Sequence, residues 1–168
     1  LERRFQPIKV EEPTVAHTIA ARTHGRYLVT MPAAGAAPAG LLVGFHGYGQ
    51  SAEDMLAELE RLPGARAWQC VAVQALHRFY DRRTARVVAS WMTAQDRELA
   101  IADNVAYAAA VVSTLRETAG EGPLVYLGFS QGTAMAYRAA ARAGHACQGV
   151  IALGGDLPPD VRDDPSVS

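Results

Sequence analysis

The stretch Leu124 to Ala136 constrains the fold of this chain more than any other. An apolar run of strand formers, Leu124 to Phe129, meets Gly-Phe-Ser-Gln-Gly and passes at once into an alanine-rich helical pattern. A strand that becomes a helix within one turn leaves room only for small residues two positions before and after the tip. Gly128 and Gly132 fill those positions around Ser130. The spacing predicts Ser130 on a strained tip at a helix N-terminus, where the helix dipole and unpaired backbone N–H groups favour developing negative charge.

The remaining pattern repeats this alternation. Residues 14–23 and 26–31 read as two strands around His24-Gly25, an antiparallel hairpin at a sheet edge, and residues 32–40 read as a loop. Leu41 to Phe45 reads as a buried strand. Ser51-Ala-Glu-Asp54 has the capping-box pattern and opens a helix that Pro63-Gly64 ends. Trp68 to Ala75 is the next strand, and residues 78–92 read as either a short strand or an ordered loop. Thr93-x-x-Asp96 again resembles a capping box; it introduces a long helix with Leu99, Val105, Ala109, Val112 and Leu115 near one face. After Ser130 a helix carrying Ala134, Ala136, Ala139 and Ala140 stops at Gly144, and the last strand runs from Gln148 to Leu153. Apolar strands alternating with helices imply an α/β fold, a doubly wound, mostly parallel sheet with an N-terminal antiparallel hairpin. Functional groups in such a sheet gather at the carboxyl ends of the strands.

Composition narrows the function. A net charge of −1 gives no nucleic-acid footprint and no attraction to anionic membranes, and Lys9 is the sole lysine. No apolar run of membrane-spanning length stands out, and the charged start has no apolar h-region, so a cytoplasmic location is expected. Cys70 and Cys147 each begin an apolar run without metal-ligand spacing to a histidine. They read as reduced core thiols in preference to a disulfide. The chain reads as one domain, residues 1–168.

A nucleophilic serine needs preorganised donors for the oxyanion, a general base and an orienting acid. The residue after the nucleophile supplies one donor, the backbone N–H of Gln131. Phe45-His46-Gly47-Tyr48-Gly49-Gln50 follows the first parallel strand and offers the other, the N–H of Tyr48. Together, His-Gly-Tyr-Gly after a strand, Gly-Phe-Ser-Gln-Gly at the turn and Leu-Gly-Gly-Asp-Leu-Pro after the next strand resemble the phospholipase/carboxylesterase family of α/β-hydrolases, which includes acyl-protein thioesterase-like enzymes. The similarity runs from about Leu41 to Pro159.

That resemblance implies a serine esterase or thioesterase with Ser130 as nucleophile, a small ester or thioester as substrate, and no metal or redox cofactor. It makes His46 a support for the oxyanion loop. It also puts the acid and the histidine of the triad beyond residue 168, so the domain reads as C-terminally incomplete. Within the chain, His145 falls at the opposite pole of the sheet, while His46, His77 and Asp156 fall at the correct edge. Trp91 and Met92 before the long helix, and Leu76, Phe79 and Tyr80 after a strand at the active edge, are candidates to line an acyl or aromatic pocket. Of these, Trp91 and Leu76 are the substrate-binding residues chosen, with core filling an equal alternative for Trp91. Arg78, Arg82, Arg83 and Arg86 read as a solvated loop in preference to an anion site. A non-catalytic binding module of the same fold is the competing function. A nucleotide-binding domain ranks last, since neither Gly-x-Gly-x-x-Gly nor a Walker-type lysine is present.

Overall fold

A computed structural model of the chain describes residues 14–30 and 37–166. The expectations for the charged start, for residue 31 and for most of the 32–40 loop therefore lie outside the described residues.

Four parallel strands make the centre of the molecule: β2 (Leu41–Phe45), β3 (Gln69–Gln74), β6 (Leu124–Phe129) and β7 (Gly149–Leu153). With β1 (Arg26–Val29) they form one sheet in the order β1-β3-β2-β6-β7. β2 and β3 are buried along their whole length, as strands covered on both faces must be. Helices α2 (Arg97–Ala119) and α3 (Gln131–Arg142) pack one face, where Val43, Phe45, Val71, Tyr126, Val112 and Met135 meet. Helix α1 (Ala52–Glu60) packs the other with Met55 and Leu59 against Leu42 and Leu127. A short α4 (Pro159–Arg162) follows β7.

The expected α/β architecture is present, with three differences of detail. The N-terminal strand is antiparallel as expected, but its partner is β3, with Arg26 opposite Gln74 and Val29 opposite Val71. Residues 14–23 form no strand and are exposed, Ile19 to 90%. The reason lies at Gly25: it packs so tightly on the Tyr107 ring of α2 that a Cβ would overlap it, and the Tyr107 hydroxyl donates to the Arg26 carbonyl oxygen at 2.7 Å. His24-Gly25 is thus a docking point on α2, not a hairpin turn.

Thr93-x-x-Asp96 is not a capping box. Asp96 has φ 48° and makes no side-chain cap; its carboxylate accepts from Thr18 Oγ1 at 3.1 Å instead, and Thr93 Oγ1 donates to the Gln95 carbonyl. Finally, the buried face of α2 comprises Ala100, Ile101, Asn104, Val105, Ala108, Val111, Val112 and Leu115, whereas Leu99 is 54% exposed. At 23 residues α2 is long and apolar enough to cross a bilayer by composition, but here that apolar face is core. Both cysteines are free thiols, as expected.

Residues 78–92, open in sequence, contain a two-stranded antiparallel sheet. β4 (His77–Tyr80) pairs with β5 (Val87–Ser90), with His77 opposite Ser90 and Tyr80 opposite Val87. It stands beside the carboxyl edge of the main sheet, joined to the β2–α1 turn by a bridge in which Ala89 N–H donates to the Gln50 carbonyl and the Ala89 carbonyl accepts from Gly49 N–H.

Candidate active site

β2 and β6 are neighbours in register, Phe45 beside Gly128, so the two turns leaving their carboxyl ends begin side by side. The β6–α3 turn is built from steric economy. Ser130 has φ 51° and ψ −116°, a conformation an L-residue adopts only when its surroundings over-determine it. They do so here. A Cβ at Gly128 would overlap the backbone of Gly132 and Thr133, and one at Gly132 would overlap the carbonyl oxygens of Phe45 and His46. Gly155, in the loop after β7, leaves just enough room for the Ser130 carbonyl: a Cβ there would lie 2.6 Å from it. Ser130 N–H donates to the Leu153 carbonyl at 2.8 Å, and Thr133 Oγ1 donates to the Gly128 carbonyl at 2.9 Å. The strained tip is therefore pinned to strands on both sides, and Ser130 itself is exposed.

The β2–α1 turn is built from side-chain hydrogen bonds. His46 is fully buried; its Nδ1 donates to the Gly47 carbonyl at 2.7 Å and its Nε2 accepts the Ala75 N–H at 3.1 Å. These partners fix one neutral tautomer, and burial lowers the imidazole pKa, so the ring stays uncharged. His46 is thus committed to structure. Gly47 N–H donates to Gln50 Oε1 at 2.7 Å, and Gly49 N–H donates to the Ala89 carbonyl at 3.0 Å. The capping box at Ser51 and Asp54 forms as the sequence predicted, reinforced by Arg86, whose guanidinium meets Asp54 at 2.8 Å. The N–H groups of Tyr48 and Gln131 donate to no protein acceptor among the described residues. Both turns therefore offer a free donor at the same edge of the sheet.

The predicted site residues fall in different places. Ser130, Gln131 and Tyr48 lie on these adjacent turns. Trp91, a candidate substrate contact, is 0% exposed. Its ring packs edge-on to Phe45 and beside His46, and its Nε1–H donates to the His46 carbonyl at 2.7 Å. Trp91 fills the core and presents no wall to a ligand, because β5 ends by turning it inward.

Leu76 is half-buried, and its N–H donates to Asn104 Oδ1. It lines a hollow of about 510 Å³ with His24, Gly25 and Tyr107, formed against the 21–25 segment. The aromatic side chains beside the site are Tyr48, Phe79 and Phe129. Tyr48, 66% exposed, lies against Phe79 with ring centroids 5.6 Å apart, and the half-exposed Phe129 ring closes on Gly47. Phe79 was a pocket candidate in sequence. Its pairing with Tyr48 was not legible there, because that needs the β4–β5 sheet.

No histidine or carboxylate hydrogen-bonds Ser130 Oγ among the described residues. His145 lies at the amino end of β7, near Ser113 Oγ and the Ala109 carbonyl. His77 sits in β4 and lines a hollow with Thr18 and Asp96, and His17 and His24 are exposed. Asp156 is exposed after β7. Asp160 is held elsewhere: the buried Arg138 pairs with it at 2.9 and 2.7 Å, which keeps its carboxyl down at about 2 and ties α4 to α3. No cluster of metal-binding side chains occurs among the described residues.

A family model described as alpha/beta hydrolase fold matches residues 47–166. Among solved structures, esterase PE8 is 28% identical, with a TM-score of 0.56 over 79% of this chain and 64% of its own. A phospholipase/carboxylesterase from Dyadobacter fermentans (22% identical, TM-score 0.56) is matched over 80% of this chain and 61% of its own. Zea mays acyl-protein thioesterase 2 (22%, TM-score 0.56) is matched over 86% and 70%. The chain thus spans less than two thirds of the length of the first two. No curated protein matches the sequence significantly.

Proposed function

The chain belongs to the alpha/beta hydrolase fold family, and from that premise we propose that it hydrolyses carboxylic esters or thioesters through an acyl-enzyme on Ser130. The observation that carries this reading is the Ser130 backbone, φ 51° and ψ −116°, at the mouth of a helix. Strain of this kind costs about 1–3 kcal/mol and persists at sites where it is part of the mechanism. In the proposed reaction Ser130 Oγ attacks the substrate carbonyl and yields its proton to a general base. The carbonyl oxygen becomes an oxyanion, held by the N–H groups of Tyr48 and Gln131. Collapse expels the alcohol or thiol, protonated by that base, and water then releases the acid. None of the histidines among the described residues contacts Ser130 Oγ, so the reading requires a base that these residues do not supply. The apolar rim of Tyr48, Phe79 and Phe129 supports a substrate with an apolar group beside the ester.

Intact-mass analysis after incubation with a fluorophosphonate tests this. The expected outcome is one adduct on Ser130, lost completely in Ser130→Ala with the fold retained; persistent labelling of that variant refutes the assignment.

A second reading, a non-catalytic binding module using the same cleft, is favoured by one observation. Ser130 Oγ has no histidine or carboxylate partner among the described residues. Absence of any adduct on the protein would select it.

A further inference from the structure

The Ser90-Trp91 pair at the end of β5 touches both turns of the candidate site at once. On one side, Trp91 N–H donates to Gln131 Oε1 at 3.0 Å and Gln131 Nε2 donates to Ser90 Oγ at 3.2 Å. Ser90 Oγ in turn donates to the Met92 carbonyl at 2.6 Å, so every member of the chain has a defined role. On the other side, Trp91 Nε1–H reaches across to the His46 carbonyl at 2.7 Å. That carbonyl is one peptide before the Gly47–Tyr48 bond, whose N–H is one proposed donor; Gln131 carries the other.

We infer that Ser90 and Trp91 are positioning residues that set the aim of the two oxyanion donors relative to each other. This rests on the reading of Ser130 as the nucleophile. The physical need is plain. An oxyanion hole works through preorganisation, with donors placed where charge will form and no rearrangement left to make.

Here the two donors belong to separate turns. Among the described residues neither turn hydrogen-bonds directly to the other. Sheet pairing of β2 with β6 brings the turns together, and close packing of Gly132 on the Phe45 and His46 carbonyls limits their approach. What remains is lateral aim, and the bridge through residues 90 and 91 fixes it from both ends. Ser90 and Ala89 are buried, and Ala89 is bonded to Gln50 as well, so the clamp is itself held rigid. The arrangement also gives Trp91, buried out of reach of substrate, a part in the reaction.

Three variants test the clamp. Trp91→Phe removes the indole donor while keeping an aromatic ring in the core. Ser90→Ala removes the hydroxyl, and Ser90→Thr restores one. The readouts are kcat and KM for p-nitrophenyl butyrate, the affinity for butylboronic acid, which forms a tetrahedral adduct on a nucleophilic serine, and the thermal midpoint. Trp91→Phe and Ser90→Ala are each expected to lower kcat about tenfold, less than outright loss of an oxyanion donor. KM should stay within about twofold, boronate affinity should fall by the same factor as kcat, and Ser90→Thr should recover both.

A fall in thermal midpoint with kcat and boronate affinity unchanged would reduce the pair to ordinary core and overturn the inference. Should the unaltered protein neither turn over the ester nor take a fluorophosphonate label, the serine-hydrolase reading fails first and the clamp fails with it. An active parent with fully active variants overturns the clamp alone.

Discussion

Two strand-to-helix turns lie side by side at the carboxyl edge of this sheet, and they are made in opposite ways. The β6–α3 turn contains no side-chain cap: α3 begins directly at Gln131 behind a serine with positive φ. Its shape comes from what cannot fit, since the glycines before and after Ser130 sit against backbone. The β2–α1 turn has ordinary backbone at its cap, with Ser51 at φ −125°, and draws its order from a buried imidazole, a glutamine side chain and a full capping box. The first turn stores strain in the residue proposed to react. The second stores none and holds a neighbouring N–H still. A nucleophile must be thrust out of its helix, whereas an oxyanion donor needs only to stay in place.

The contrast can be broken from either side. Gly132→Ala has the largest expected effect. Alanine is the better helix former by up to about 1 kcal/mol, but its Cβ would drive into two carbonyl oxygens of the β2 end. A net loss of about 3 kcal/mol is expected in urea unfolding; a neutral or stabilised variant would show that close approach of the turns is dispensable.

Ser51→Ala should cost less, about 1.5 kcal/mol by the same measurement. It removes the side-chain cap of α1 and leaves Asp54 with one fewer partner, while the backbone shape of the turn is unaffected. Ser130→Gly should go the other way. Glycine accepts φ 51° without strain, so relief exceeds the added chain entropy, and unfolding stability should rise by about 1 kcal/mol as the fluorophosphonate adduct disappears. A destabilised Ser130→Gly protein would mean that the serine conformation is not strained, and the contrast between the two turns would dissolve.

Legibility in sequence follows the same division. The β6–α3 turn was readable because its determinants lie within Leu124 to Thr133 and are glycines at fixed offsets. The capping box at Ser51 was readable for the same reason, and the identical pattern at Thr93 misled because a residue from far away intervenes. Thr18 takes the Asp96 carboxylate, and the helix begins after a left-handed residue. Trp91 shows the other kind of failure. Its position beside the active edge was legible, but its direction was not, since an indole suits a pocket wall and a core equally well. The pairing of β4 with β5, the bridge to Gln50 and the inward turn at Ser90 decided it.

The sequence by itself determined the parallel sheet with its helices and the two strand-to-helix turns that carry Tyr48 and Ser130. Periodicity and glycine spacing are local quantities, and a chain cannot satisfy them in many ways. Tertiary structure alone decided that residues 14–23 are not a strand, that β1 pairs with β3, and that Trp91 turns inward onto His46. Each of these rests on a contact across at least forty positions of the chain: Tyr107 with Arg26, Arg26 with Gln74, and Trp91 with His46. Such contacts depend on which surfaces remain free once the sheet has formed, and no local pattern records that.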